Sequence, residues 1–540
     1  MKKTILLNIL CLLSLMGYAQ KETANWTFGA QAGLTWNTTR TWDCTGILGT
    51  PDATLTGLPT NIKQVTAITG NTMTFSDKKG NLLFYSDGYH LYDKNHNLRP
   101  QVMTGEFAIP IPGLPFPYPG DKNKTVMVTV NGTEHFSIDR ILCYSVWDQS
   151  LQGGLGGIVP GKLNIPLEGA KGYTRNAIAA VAHDNGEDYW ITVPGFSEYW
   201  SGNPDLDHMY LNTWLFTGSG EMSATPLILQ LPYEINGRQP GMFRFTEDGT
   251  HFFFVLGNSG GTGPKGKEVI IYGDFDSSTG TFSNIKEMNP TPVGSSHYFD
   301  FNADGSLLYL NNVSDQSITV YKADELWSMP SHTTVTKKVY SYKSLSTGGF
   351  WAVQRAIDNR IYITEAAYPR LMILDNIDDF DNLKIYHTTQ NIVNGEYTEF
   401  LHYENGLANA EQGFPTFPAG LFRAEPEIKA FGCTGNTIMS SIVVESAAGI
   451  PANQPVKLTW DFGDGSPTQD QPVVSGQTEY SLQHTFNAGG RYTVTVTPYK
   501  LNGTPLKAIK IPVNITDCAI KTNRMIRTDL QNEAMKKVNR

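Results

Sequence analysis

The sequence predicts an all-β chain: a β-propeller of about seven blades, then one β-sandwich. Three observations predict it. An aspartate corner leading into a short apolar strand recurs along the first four-fifths of the chain. Glycine (52 of 540 residues) and aromatic residues (11%) are abundant while charged residues are only 17%, a composition suited to many turns and short strands. Beyond about residue 430 the texture changes to the alternation of half-buried strands, as in Tyr492-Thr493-Val494-Thr495-Val496-Thr497.

The corner is first met as SDKKGNLLFYSDG, Ser76 to Gly88. Its relatives are TEDGT before His251-Phe252-Phe253-Phe254-Val255, and NADGS before Leu307-Leu308-Tyr309-Leu310. Looser copies carry Asp184 and Asp358. Asp184, Asp248, Asp304 and Asp358 are 64, 56 and 54 residues apart, and Asp77 precedes Asp184 by 107, about two such units. One strand-turn-strand signature per ~50 residues marks a repeat array, and each unit is long enough for a four-stranded blade. Residues 25–423 hold six to eight such units, of which seven is the reading adopted; a β-helix would repeat at shorter intervals. In each corner the aspartate can accept hydrogen bonds from turn amides and the glycine can take positive φ. A calcium loop needs oxygen donors at alternating positions, and Lys78 and Lys79 stand where ligands would. The corners therefore read as structure.

MKKTILLNILCLLSLMGYAQ pairs a basic start with an apolar run too short to span a bilayer, and Gly17 and Ala19 are small residues three and one before a cut after Ala19. Residues 1–19 read as an export signal, and Cys11 lacks the small residues that precede a lipidated cysteine. The formal net charge of −10 falls to about −12 without Lys2 and Lys3, which disfavours nucleic acid as a partner. No later segment is apolar enough to cross a membrane. Export permits disulfides. The four remaining cysteines allow three pairings; Cys433 and Cys518 bracket one compact segment and are the structural pair expected, while a Cys44–Cys143 bond is left open. None stands in a zinc-like spacing.

Residues 430–517 have the length of one β-sandwich. They carry Trp460-Asp461-Phe462-Gly463-Asp464-Gly465-Ser466-Pro467 and, later, HTFNAGGRYTVTVT. This pairing resembles the PKD domain, an immunoglobulin-like fold. The resemblance implies that Trp460, Asp461, Phe462, Gly463, Asp464 and Gly465 organise a strand and its turn. The N-terminal region, with NWTFG, GNLLFYSDG, LCYSVWDQSLQGGLGGIVPGKLNIPL and HDNGEDYWITV, is similar to the propeller-like part of exported surface proteins of gliding and type IX-secreting bacteria. Many of those end in a sorting domain of about 80 residues by that resemblance; here 22 residues follow Cys518, so the route to the surface stays open.

No nucleophile elbow, HExxH, phosphate loop or dinucleotide fingerprint is present, and no cofactor or metal is expected. The acidic cluster Asp375, Asp378, Asp379 and Asp381 misses calcium-loop spacing and reads as a solvated loop. The binding candidates are Phe116 and Tyr118 in a proline-rich stretch, and Tyr199 and Trp200 among Ser, Gly, Asn and Asp. Such rings suit sugar stacking or protein docking, unless they pack between blades. The basic tail, 518–540, spaces Ile526, Leu530, Ala534 and Val538 as a short amphipathic helix that could dock on a partner. The expected function is non-catalytic recognition, adhesion or scaffolding at the bacterial envelope, in the periplasm, on the outer-membrane surface or outside the cell. Its partner would be an envelope or surface protein or a polysaccharide. The alternative is a propeller-type carbohydrate hydrolase or lyase with the PKD domain as accessory module.

Overall fold

The computed structural model describes residues 21–516 apart from 68–70, 106–112, 131–141, 175–176, 185–187, 197–207, 235–237, 259–268, 289–296, 343–348, 404–405, 412, 422–429, 444–454 and single or paired positions between 475 and 507. The chain divides into two compact units, one spanning Ala19–Ala424 and one containing Glu425–Arg540.

The first unit is a β-propeller-like succession of antiparallel sheets. Four are built from consecutive stretches of chain: residues 73–102, 113–166, 173–234 and 238–288. A fifth spans 297–341, and a seven-stranded sheet joins the two ends of the unit. Seven strands form the inner row: β1 (Asn25–Phe28), β2 (Met73–Ser76), β3 (Gly113–Pro117), β4 (Ala179–Ala182), β5 (Arg238–Phe245), β6 (His297–Phe301) and β7 (Phe350–Arg355). From β1 to β7 each touches the next.

The aspartate corners recur at one place in this plan. Asp77, Asp184, Asp248, Asp304 and Asp358 each lie in the turn between an inner strand and the second strand of its sheet. The long interval between Asp77 and Asp184 contains a further copy. Asp121 follows β3 and precedes the strand Lys124–Val130, with Lys124 N donating back to Asp121 O at 3.1 Å.

Adjacent sheets are cemented by alternate apolar residues, because successive side chains of a strand point to opposite faces. Val126, Val128 and Tyr144 of the 113–166 sheet meet Ile191, Val193 and Trp214 of the next. Phe253, Ile270 and Tyr272 meet Phe299, Leu308 and Leu310. Each such fully buried side chain contributes on the order of 2 kcal/mol of apolar transfer. The ends of the unit are tied by the strand Ala32–Gly46. It pairs with β1 through Thr35 to Ala32. Its far end pairs with Lys384–Thr388, Cys44 opposite Thr388 and Gly46 opposite Tyr386.

The second unit is a β-sandwich. A five-stranded sheet runs, in spatial order, Ala430–Cys433, Ile509–Thr516, Gly490–Tyr499, Lys457–Asp461 and Gln469–Pro472; Thr437–Val443 pairs with Glu479–Thr485 in the second sheet. The alternation read from the sequence puts Val494 and Val496 inside, both fully buried, beside Leu458, Trp460 and Ile511.

Cys44 and Cys143 are buried free thiols, which answers the open pairing in the negative. Cys433 lies opposite Thr516 in a parallel register; Cys518 is outside the described residues. No helix among the described residues is long and apolar enough to cross a membrane.

Candidate functional site

The recurrent aspartates spend their carboxylates on their own turns. Asp77 Oδ1 accepts from Lys79 N at 2.8 Å and Asn81 N at 2.9 Å. Asp121 accepts from Asn123 N at 3.0 Å, Asp248 from Thr250 N at 3.2 Å and Asp304 from Ser306 N at 3.0 Å. These are side chains closing a turn on the backbone two residues on. Asp358 also accepts from Tyr362 Oη at 2.7 Å and pairs with Arg360 at 3.3 Å, and burial pushes its carboxyl upward. The acidic cluster is likewise engaged. Asp375 pairs with Arg360 at 3.0 Å and Asp381 with Lys338 at 2.7 Å. Asp378 accepts from Asn302 and Asn359, and Asp379 caps a turn at Asp381 N. Among the described residues no group of three or more His, Cys, Asp or Glu is arranged to hold a metal.

Charge concentrates instead at the inner strands. Arg244 on β5 donates to Asp300 on β6 at 3.0 Å, and to Val353 O at 3.3 Å and Gln354 Oε1 on β7. Asp300 accepts a second bond from Arg355 N at 2.6 Å. Arg355 pairs with Glu247, in the turn after β5, at 2.9 Å, and Glu247 accepts from Gly420 N at 2.6 Å. Two arginines and two carboxylates thus neutralise one another across three inner strands. Burial lowers the Arg244 pKa, opposed by Asp300 and then Glu247.

The chain covers this cluster with its own segment. Ala408–Leu421 runs along the inner strands without forming a regular strand. It starts at β1, where Asn409 bridges Ala30 and Phe414 packs on Trp26 and Phe28 with ring centroids 5.0 and 4.9 Å apart. It ends at β4, where Ala419 N donates to Ala180 O at 2.8 Å and Ala419 bridges Val181 in parallel. Every position from Gly413 to Ala419 is buried. A narrow cavity remains between Thr416–Ala419 and the side chains of Arg244, Glu247 and Asp300. No repeated corner or motif marks this segment in the sequence. Its signal is GFPTFPAG: apolar and aromatic residues with two prolines, which cannot donate to a ladder, just before the texture change.

The sequence candidates fall as follows. Phe116 is fully buried in β3 and packs on Tyr189 and Phe216 at 5.1 and 5.7 Å, so its ring is committed to packing between sheets and offers no face to a ligand. Tyr118 is half-buried, its ring on Phe216 at 5.3 Å and under Lys124. Tyr199 and Trp200 lie outside the described residues, as does the tail 518–540.

In the second unit the quoted motif makes one compact corner. Trp460 is fully buried and its Nε1 donates to Gln471 at 3.2 Å. Asp461 accepts from Gly463 N at 2.9 Å. Gly463 has φ +69°, and a Cβ there would meet Thr493 O at 2.6 Å, so both conformation and space call for glycine. Gly465 also takes positive φ, at +82°. Asp464 accepts from Ser466 N and Oγ at 3.0 and 2.6 Å and from His484 Nε2 at 2.7 Å. The His484 ring stacks on Phe462 with centroids 3.9 Å apart. Burial raises the Asp464 pKa, but the Ser466 and His484 bonds overcome it and hold the carboxyl at about 2.

This is a propeller-like all-β unit joined to a sandwich, and the sandwich is of a known kind. Residues 423–513 match the PKD domain family. No protein of curated function matches the chain in sequence. Among solved structures, the periplasmic gluconolactonase PpgL of Pseudomonas aeruginosa is 10% identical, with 79% of this chain and 93% of that chain covered and a TM-score of 0.32. AztD of Citrobacter koseri is 13% identical, with 70% and 86% covered and a TM-score of 0.34. The extracellular domain of the putative one-component system BT4673 of B. thetaiotaomicron is 10% identical, with 91% and 73% covered and a TM-score of 0.23. At these values the likeness carries no argument about ligand or activity.

Proposed function

We propose that this is an exported, non-catalytic recognition or scaffold protein of the bacterial cell envelope. Loops of the propeller-like unit bind a surface protein or a glycan, and the PKD domain serves as spacer or second adhesive module. The observation that carries the reading is the state of the inner strands. In a propeller-borne enzyme, carboxylates, histidines or arginines at the centre would face a substrate. Here Arg244, Asp300, Arg355 and Glu247 neutralise one another under the buried segment Gly413–Ala419. Recognition is thereby left to the loops, and Tyr118, Tyr199 and Trp200 remain the candidates for it.

A seven-bladed plan belongs to the same proposal. It is supported by the seven inner strands and by the seven-stranded sheet, which reads as two blades sharing Ala32–Gly46. One blade has β1 and Ala53–Asn61 on that strand; the other runs from β7 to Lys384–Thr388. Residues 1–19 would be removed on export, and Cys433 and Cys518 would form the disulfide of the PKD domain.

The test is retention and cleavage measured together, on the full mature chain against a panel of polysaccharides and purified envelope proteins. Retention without product release, weakened at least tenfold by Tyr199→Ala with Trp200→Ala, is the expected outcome. Rapid cleavage of any polysaccharide would overturn the proposal and favour the hydrolase or lyase.

A further inference from the structure

We propose that Arg40 anchors a carboxylate-binding site on the first unit, and that the ligand it takes is a uronate sugar of an acidic polysaccharide. The inference stands apart from Tyr199 and Trp200, and it holds whether or not the protein cleaves what it binds.

Arg40 is the exception among the arginines. Arg99, Arg244, Arg355, Arg360 and Arg370 each pair with an aspartate or glutamate, at 2.9 to 3.3 Å. Arg40 is half-buried, yet among the described residues no carboxylate lies within ion-pair distance of it. Its guanidinium lies instead against two buried rings, 4.7 Å from the Trp42 centroid and 4.1 Å from that of Phe400. Nη2 donates to Phe400 O at 2.8 Å, Nε is buried without a partner, and Nη1 has none among the described residues. Burial pulls the pKa down to about 10, opposed by Tyr362 and Cys44, neither of them a carboxylate. Ring faces attract a cation but carry no charge to neutralise it. A partly desolvated guanidinium without a counter-ion is therefore left to be satisfied from outside.

A second donor stands beside it. Asn61 Nδ2 donates at 3.1 Å to Phe400 O, the carbonyl that Arg40 also reaches, and this bond fixes which way the amide faces. The same Nδ2 lies 2.8 Å from His402 Nδ1, closer than Glu399 O at 3.2 Å, so Nδ1 accepts and the ring proton is on Nε2. His402 is exposed, and desolvation against its neighbours and then the Arg40 charge hold its pKa below the ordinary value. Arg40 Nη1 and His402 Nε2 thus offer N–H donors with one positive charge between them, which suits one carboxylate. A net charge of −10 on the chain disfavours a more highly charged anion.

The surroundings favour a sugar as the carrier of that carboxylate. Trp42 Nε1 donates to Thr389 O at 2.9 Å, so the two ends of the hairpin Asn391–Val393 and Glu396–Thr398 are pinned on Trp42 and Arg40. In that hairpin Tyr397 faces Ile392 across the strands and is 75% exposed. An exposed ring three residues before Phe400 gives a sugar an apolar face to stack on. Thr38 and Thr39, exposed just before Arg40, supply hydroxyls to meet its own.

The experiment is calorimetric binding to the full mature chain of a trigalacturonate, its methyl ester and an acidic tripeptide. The uronate should bind about tenfold tighter than its ester, and Arg40→Met should bring that ratio to about one. Both ligands are compared in the same variant, so a general loss of stability cancels. His402→Ala, at an exposed position, should cut the ratio about threefold and carries the test if Arg40→Met does not fold. Equal binding of uronate and ester by the natural chain, a preference that survives either substitution, or binding of the peptide but not the uronate would overturn the inference. Failure to bind any of the three would overturn it as well.

Discussion

Replacing Asp464 by asparagine should remove a pH-dependent part of the stability of the PKD domain. In the folded chain the carboxyl is held at about 2, from an ordinary value of 3.8, by bonds from Ser466 and His484 that prevail over burial. A carboxylate depressed on folding stabilises the native state above its unfolded value, and that contribution is lost as pH falls through the folded value. The window is therefore about pH 4 down to pH 2. At about 1.4 kcal/mol per pH unit, the full conversion is roughly 2.5 kcal/mol. The side chain is 13% exposed, so solvent screening trims this toward ~1.5 kcal/mol.

The assay must isolate this unit, because the chain has ten tryptophans and total fluorescence would average both units. Deuterium exchange of peptides from Lys457–Asp461 and Gly490–Tyr499, measured across a guanidinium series at pH 6, 4, 3 and 2, reads the sandwich alone. The natural protein should lose about 1.5 kcal/mol more than Asp464→Asn between pH 4 and pH 2, with the variant already weaker at pH 6 by a similar amount. Other carboxylates titrate alike in both proteins and cancel in the difference. Parallel stability curves over that window would refute the claim that this carboxylate is held by Ser466 and His484.

Three further outcomes follow from the first unit and the cysteines. Arg355→Met leaves Glu247 without its cation in a site where the two side chains are 5% and 15% exposed, and should cost about 3–5 kcal/mol in thermal or denaturant unfolding; a loss below ~1 kcal/mol would show that the pair carries no load. Phe116→Ala should cost about 3–5 kcal/mol because the ring is fully buried, while ligand retention by the folded fraction stays unchanged; retention lost in fully folded protein would restore Phe116 as a binding residue. Peptide mapping without reductant should recover Cys433 linked to Cys518. Cys44, whose thiol burial pushes up to about 12, should be alkylated along with Cys143 only after unfolding; free Cys433 in the native chain would contradict the pairing.

How far the sequence could be read depends on the range of the interactions involved. Aspartate corners are local: Asp77 reaches Lys79 and Asn81, and Asp304 reaches Ser306, so a few adjacent residues announce the turn and its place in a sheet. The PKD corner is nearly as local, since Asp461, Gly463, Asp464 and Ser466 lie within six residues; only His484 is distant. Asp121 is hard to recognise as a corner because prolines precede it and its strand Gly113–Pro117 reads as a loop, although prolines are tolerated on an edge strand such as this one. The same prolines leave Phe116 open between ligand stacking and packing, because what buries it is Tyr189 and Phe216, 73 and 100 residues away. The inner cluster was illegible for a stronger form of that reason. Arg244, Asp300 and Arg355 are each separated by at least 55 residues, and nothing beside any of them in sequence indicates a partner. Gly420 reaches Glu247 across 173 residues. A periodic sequence predicts the strands that lead into its corners because those corners repeat, but what covers Arg244, Glu247 and Asp300 is a single, unrepeated segment. The function is accordingly to be sought in tests that probe the loops, and not in the recurring corners.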